Sequence, residues 1–297
     1  MNEQAVVSDA AAKARKRKKS MFVQTVKRLV KNKVSLIGFI ILFIIILAVI
    51  LADVLAPCDP EYMDYGAIHA LPSAAHPFGT DNLGRDILSR LLVGGRYSLS
   101  LGFICAFVSL FVGVFFGNLV GYLGGRVDMV VMRLCDIFGA IPGQLLAIVI
   151  STALGSGFIN TILAMTVGGF PNAIRGNRAL ALKEREMEYL EAARAMNCSK
   201  MKIVFKHMMP NTIPIQIVGT TMSIGHAIIG AAGLSFIGLG IQLPTPEWGA
   251  ILSGSRKYVM DYPHEMLFPG LAILITVLAI NMIGDGLRDA LDPKLKN

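Results

Sequence analysis

Three acids, Glu184, Glu188 and Glu191, fall on one side of a helical stretch between two apolar parts of the chain. Ala192, Ala193 and Met196 add a small apolar patch beside them. Asn197 then breaks the helix, because Asn enters the left-handed conformation more readily than most residues. Ser199 is placed to cap a new helix, along which Met201, Val204, Phe205, Met208 and Met209 recur at helical spacing. The pattern is an amphipathic helix–turn–helix, longer than a connector needs. A small-residue face of this kind suits insertion into a partner's groove, which is recognition and not reaction chemistry. The competing reading is a solvated linker with chance periodicity.

Reaction chemistry finds little support elsewhere. No GxxxxGK[ST] loop is present to cradle phosphates, so the chain has no ATP site of that type. The histidines are His69, His76, His207, His226 and His264, with no HExxH among them. Cys58, Cys105, Cys135 and Cys198 form no CxxC pair and read as packing residues, so no metal site is expected. A serine protease built on Ser235 with His226 or His264 fails on geometry, since Ser235 and His226 sit nine residues apart on one straight stretch. No catalytic residue is therefore assigned. What remains is a set of polar side chains inside apolar stretches, Gln144, Asn172, Thr220, Thr221, Ser223, His226 and Asn281. These are the candidates for lining a path. The bland alternative is that Ser and Thr bond to their own helix and that His226 is a hydrogen-bonded packing residue.

The elements that must carry these residues follow from the charge pattern. The chain has 297 residues, 54% hydrophobic and only 16% charged, and its mean hydropathy is +0.60. Uncharged runs cover 34–52, 97–125, 137–174, 207–246 and 266–284. A helix needs roughly 20 apolar residues to cross the hydrocarbon layer, so a soluble enzyme, a disordered protein and a disulfide-stapled domain are excluded. This is a polytopic, all-α membrane protein. Spans are expected at about 34–55, 97–121, from 129 to the break at Pro142-Gly143 and beyond, back from a turn at 155–157 to 178, from 211, and at 266–287. The run 207–246 holds either two short spans or one span and a re-entrant glycine-rich piece, and the choice decides the side of the C-terminus. An ion-coupled secondary transporter would need ionisable groups near the midplane, which most of these runs lack. Along the second span Gly102, Ala106, Ser109, Gly113, Gly117 and Gly121 form a stripe that lets helices approach closely. Arg133 and Asp136, three apart, could pair on one face.

Charge also sets topology. Ten Lys and Arg against two acids in residues 1–33 form a basic tail, and Phe22, Val26, Leu29 and Val30 give it a short amphipathic surface helix. A second basic cluster spans 175–206, and such clusters stay in the cytoplasm. The tail leads straight into a span, which argues against a nucleic-acid binder, and no cleavage site of a removable signal peptide follows it. Three parts result: 1–33 as tail, 34–96 as first span with an external loop, and 97–297 as a five-span core containing the segment 184–206.

The segment Glu191-Ala192-Ala193, a turn at 197, Ile203 and Met209-Pro210-Asn211 resembles the EAA loop of ATP-binding-cassette importer permeases. The likeness narrows to the C-type permeases of dipeptide, oligopeptide and nickel importers. It is carried by His76-Pro77-Phe78-Gly79-Thr80-Asp81-Asn82-Leu83-Gly84-Arg85-Asp86, by Ala232-Gly233-Leu234-Ser235-Phe236-Ile237-Gly238-Leu239-Gly240, by Glu247-Trp248-Gly249 and by Asp285-Gly286-Leu287-Arg288-Asp289. It runs from about residue 21 to the end. The resemblance implies six spans with both termini cytoplasmic in the cell membrane, as in type I importers. It also implies a homologous permease partner, two ATPase subunits that hold ATP and Mg, and an extracytoplasmic binding protein. Glu188, Glu191, Ala192, Ala193, Arg194 and Asn197 would then form a coupling helix between spans 4 and 5. Cargo would be di- or oligopeptides, with a nickel chelate as the alternative. The family usually has Gly where this chain has Asn197; the turn is expected to survive, at a cost.

Overall fold

The computed structural model of the chain describes Leu29 and residues 31–291. The basic tail and, apart from Leu29 and the residues after Val30, its expected surface helix lie outside the described residues. Ten helices are labelled here, and no strand forms among the described residues beyond an isolated bridge between Thr80 and Asp86.

Helix α1 (Lys33–Ile50) starts at Asn32, whose side chain accepts from the Val34 and Ser35 backbone N–H groups, satisfying donors the first turn leaves free. Most of its Ile, Leu and Phe side chains are exposed, and only Ser35, Gly38 and Val49 are buried. The helix lies along one partner by a narrow stripe and offers the rest to lipid. A short α2 (Ala52–Leu55) follows. Helix α3 runs over Ile87–Leu123, 37 residues, from an Asp86 cap and through a π-helical turn at Gly113–Gly117. Helices α4 (Gly125–Gly139) and α5 (Gly143–Leu154) are bent by 80° at Pro142-Gly143. Helix α6 (Phe158–Arg185) and helix α7 (Glu188–Ala195) lead to α8 (Lys200–Phe236), which begins with a π-helical turn at Ile203–Met208. Then come α9 (Trp248–Ser255) and α10 (His264–Leu291).

The long helices run up and down. The start of α1 and the end of α10 lie together, with Asn32 Nδ2 3.5 Å from an Asp289 carboxylate oxygen. The end of α1 meets the start of α3, where Arg96 donates to the Val49 carbonyl at 3.1 Å. Tyr122, at the end of α3, packs against the α7 region. At the opposite end Gly157 N–H donates to Gly240 O at 3.2 Å, so the turn before α6 and the turn after α8 lie together. Helix α6 therefore spans the full height, about 42 Å for its 28 residues at 1.5 Å each.

By length and apolarity, α1, α3, α8 and α10 can cross a membrane, and the bent pair α4–α5 makes a fifth candidate. Helix α6 is long enough but carries Asn160, Asn172, Arg175, Asn177 and Arg178. The run 207–246 holds one unbroken helix to Phe236 and then a turn, in place of two short spans.

One sequence expectation needs correction and another is extended. The helix expected from residue 97 begins ten residues earlier, at Ile87, because Arg90 is buried and its charge is met inside: its guanidinium donates to Pro60 O at 3.0 Å and Pro244 O at 3.3 Å. The expected Arg133–Asp136 pair does form, at 3.9 Å on an exposed face, and Asp136 gains a second, nearer partner in Arg175 (2.9 Å), since α6 crosses α4 there. The glycine stripe of α3 does bring backbones close. A Cβ on Gly117 would sit 2.4 Å from that of Asn177 in α6, and one on Gly102 would sit 2.5 Å from Ile228 in α8.

Buried side chains form separate clusters. The largest joins α3, α8, α9 and α10 through Ile87, Leu91, Leu99, Ile224, Ile228, Trp248 and Ile280. A smaller one, Ala181, Leu190, Ala193, Ile203, Val204 and Met208, lies under α7.

Candidate functional site

Helices α3, α5, α6 and α8 enclose a cavity of about 730 Å³ that opens on one side of the chain. Helices α5 and α6 cross backbone to backbone at Gly143 and Gly168, where a Cβ on either would come within 3.0 Å of the other's carbonyl oxygen. That crossing brings Gln144 to α8, where its Nε2 donates to Gly230 O at 3.4 Å. Gln144, Asn172, Thr220, Ser223 and His226 all line this cavity. The reason along α8 is spacing: residues 216, 219, 220, 223, 226, 227 and 230 return to one helical face.

Thr221 and Asn281 do not line it. Thr221 is one residue out of that register and its methyl faces Gly284 of α10, while the Asn281 Oδ1 faces Gly225. Both belong to the contact between α8 and α10. Gln216, which sequence reasoning passed over, lines the cavity, and its Nε2 is buried without a hydrogen-bond partner. The α8 spacing was the signal for it.

Among the described residues, no Asp, Glu, Lys or Arg contributes to the wall. The hydroxyl of Thr220 donates to Gln216 O at 2.9 Å and that of Ser223 to Gly219 O at 2.9 Å, so their donors are spent within the helix while their lone pairs face outward. The side-chain amides supply both donors and acceptors. Such a wall can exchange hydrogen bonds with peptide-like groups without holding them by charge.

The second candidate is the elbow at the other end of α6 and α8. Asn197 has φ 55°, the left-handed conformation expected of it, and Cys198 N–H donates to Ala193 O at 3.1 Å across the turn. Ser199 caps α8 through Lys202 N–H. Helix α7 presents Glu188, Glu191, Ala192 and Arg194 outward, with Met196 (70% exposed) and Asn197 at its end. Ala193 is the exception: it is 1% exposed and packs inward with Leu190, so it supports the elbow and is absent from its outer face. Glu184 lies on the preceding helix, because the chain breaks at 186–187, and it accepts from the Tyr189 hydroxyl. Burial, reinforced by that bond, pushes the Tyr189 phenol up to about 12. Met201 and Phe205 are exposed, whereas Ile203 joins Val204 and Met208 inside, since the π-helical turn changes the register from the expected α-helical one.

The two candidates are mechanically joined. Helix α6 carries Asn172 on the cavity and ends at the elbow; α8 leaves the elbow and carries Thr220, Ser223 and His226.

Known proteins share this sequence and fold. Residues 109–297 match the family described as binding-protein-dependent transport system inner membrane component, and residues 20–72 match the N-terminal TM domain of oligopeptide transport permease C. The glutathione transport system permease protein GsiD of Pectobacterium atrosepticum is 45% identical over 242 residues, covering 81% of this chain and 80% of that protein. The protein of the same name from an Escherichia coli O6:K15:H31 strain is 47% identical over the same extent. A solved inward-facing form of the MetNI methionine ABC transporter superposes with a TM-score of 0.56 at 22% identity, covering 68% of this chain and 97% of that one. This chain belongs to the family of inner-membrane permease components of binding-protein-dependent ABC importers.

Proposed function

We propose that the chain imports short peptides, glutathione among them, as one of two homologous permease subunits. In this reading α1, α3, α4–α5, α6, α8 and α10 make six crossings and both termini are cytoplasmic. The elbow, as coupling helix, seats in a groove of an ATP-binding-cassette subunit. ATP and Mg²⁺ are held by two such subunits, and an extracytoplasmic binding protein delivers the cargo. The observation that carries the reading is the shared helices: α6 and α8 each join the elbow to the uncharged cavity. The names of the relatives support the cargo class. The test is uptake by cells from which the chain has been deleted, complemented with it and supplied in turn with labelled glutathione, a labelled tripeptide and labelled nickel. Restored peptide or glutathione uptake that stops when ATP hydrolysis in the partner subunits is disabled is expected. Restoration of nickel uptake alone would overturn the cargo assignment.

A further inference from the structure

Helix α7 closes a second cavity, of about 430 Å³, against the neighbouring helix ends. Its wall takes Tyr122 and Leu123 from the end of α3, Arg185 and Glu186 from the end of α6, Glu191 and Arg194 from α7, and Lys200 from the start of α8. That size is ordinary for a ligand pocket, about 300–1,000 Å³, but such pockets are mostly apolar. Here five of the seven side chains are charged, three cationic and two anionic. Among the described residues none of the five makes an ion pair. Nearby acids do not use the cations, since Asp128 is taken by Arg178 and Asp136 by Arg175. Arg194 gives one N–H to the Arg185 carbonyl at 3.1 Å and keeps the remaining donors of its fork. The Arg185 guanidinium lies over the turn between α3 and α4, with Nη1 3.5 Å from where a Cβ on Gly124 would stand. Opposite charges that ring one cavity without meeting suit a ligand that carries both signs.

The place narrows that ligand. The uncharged run of α3 ends at residue 125, so Tyr122 and Leu123 stand where a crossing helix reaches the headgroups, a level at which tyrosine is enriched. We propose that this cavity binds the headgroup of a phosphatidylethanolamine lipid, its phosphate held by Arg185, Arg194 and Lys200 and its ammonium by Glu186 and Glu191. Guanidinium forks match phosphate oxygens two at a time, and an ammonium offers three N–H donors to carboxylates. A phosphoglycerol headgroup lacks the cation, and a phosphocholine headgroup lacks the donors. The assignment needs only that α3 crosses the membrane, and it stands whatever the cargo.

The complete transporter, delipidated in detergent with its ATPase subunits in place, tests this. Native mass spectrometry counts the lipids bound from an equal mixture of dioleoyl phosphatidylethanolamine and dioleoyl phosphatidylglycerol. The wild type should fill its tightest site with phosphatidylethanolamine at a preference of at least about threefold, the factor one unit charge at about 6 Å gives even at the dielectric of bulk water. Glu186→Gln should abolish that preference. Arg185→Gln should weaken retention of both lipids at this site about tenfold, the effect of one charge-assisted hydrogen bond. Lys202→Gln removes an exposed positive charge outside the cavity and should change neither quantity. No preference in the wild type, a preference that persists in Glu186→Gln, or an equal loss in Lys202→Gln overturns the assignment. Displacement of the lipid by an equal concentration of soluble phosphoethanolamine overturns the lipid as the occupant. Subunit masses in the same spectra report assembly, and because Glu186 is exposed, its variant tests the assignment even where Arg185→Gln fails to assemble.

Discussion

The far end of the molecule and the elbow are joined by the same helices but held by opposite means. At the far end charges are buried and used as fasteners. Arg90, 0% exposed, ties α3 to the carbonyls of Pro60 and Pro244. Asp81 accepts from the Arg85 guanidinium at 2.8 Å and from the Leu83 and Arg85 N–H groups. Glu247 accepts from the Ser98 hydroxyl and caps α9 through Ala250 N–H, both at 2.9 Å. At the elbow the charges of α7 face outward and a small apolar cluster lies beneath them. A buried charge held by hydrogen bonds fixes geometry, because moving either group strands the other. An exposed charge above an apolar base leaves recognition to whatever docks there. The far end is fastened by buried polar contacts, whereas the elbow offers its charges to the outside.

Four substitutions probe that contrast. The largest effect belongs to Gly94→Ala. A Cβ there would come 1.6 Å from Pro246 O, a backbone atom with no room to retreat, so the loss should exceed about 4 kcal/mol, the exceptional range for a single substitution. Failure to recover monodisperse protein in detergent is the expected readout. Arg90→Met should cost about 3–5 kcal/mol, since it removes one partner of a buried charge network. A fall in the thermal midpoint well beyond that of any α7 surface variant would show it. Leu190→Ala, in the elbow, should cost roughly 2–3 kcal/mol, the lower part of the range for a truncated buried leucine, because the small cluster can close over the gap. Faster hydrogen exchange confined to 188–208 is the measurement. Glu191→Lys should shift stability by no more than about 0.5 kcal/mol, as exposed substitutions do, yet abolish co-purification of the ATPase subunits. Intact co-purification and uptake would remove Glu191 from the docking surface.

Much of this organisation was legible in the sequence, and the parts that were not share physical causes. Uncharged runs located the long helices, because a charge inside lipid is costly, and Pro142-Gly143 and Asn197 marked breaks that backbone sterics demand. The start of α3 was missed because the uncharged run begins only at residue 97, whereas the carbonyls of two distant segments meet the Arg90 charge inside the fold. The inner face of α8 was misjudged near the elbow, since nothing in Ile203–Met208 announces a π-helical turn. Ala193 and Ala192 look alike in sequence, and only the packing of Leu190 beneath α7 shows which of them turns inward. Along the cavity, Thr220 and Thr221 are adjacent and chemically identical, so their different surroundings follow from register with α5, α6 and α10, which no single helix specifies.

In the proposed function the elbow transmits work done by separate ATPase subunits to the cavity. Proteoliposomes carrying the two permease subunits, with and without those ATPase subunits, test it most directly when loaded with ATP and offered labelled tripeptide with its binding protein. Accumulation against a gradient is expected only when the ATPase subunits are present and hydrolysing. Equal accumulation by the permease pair alone would contradict it.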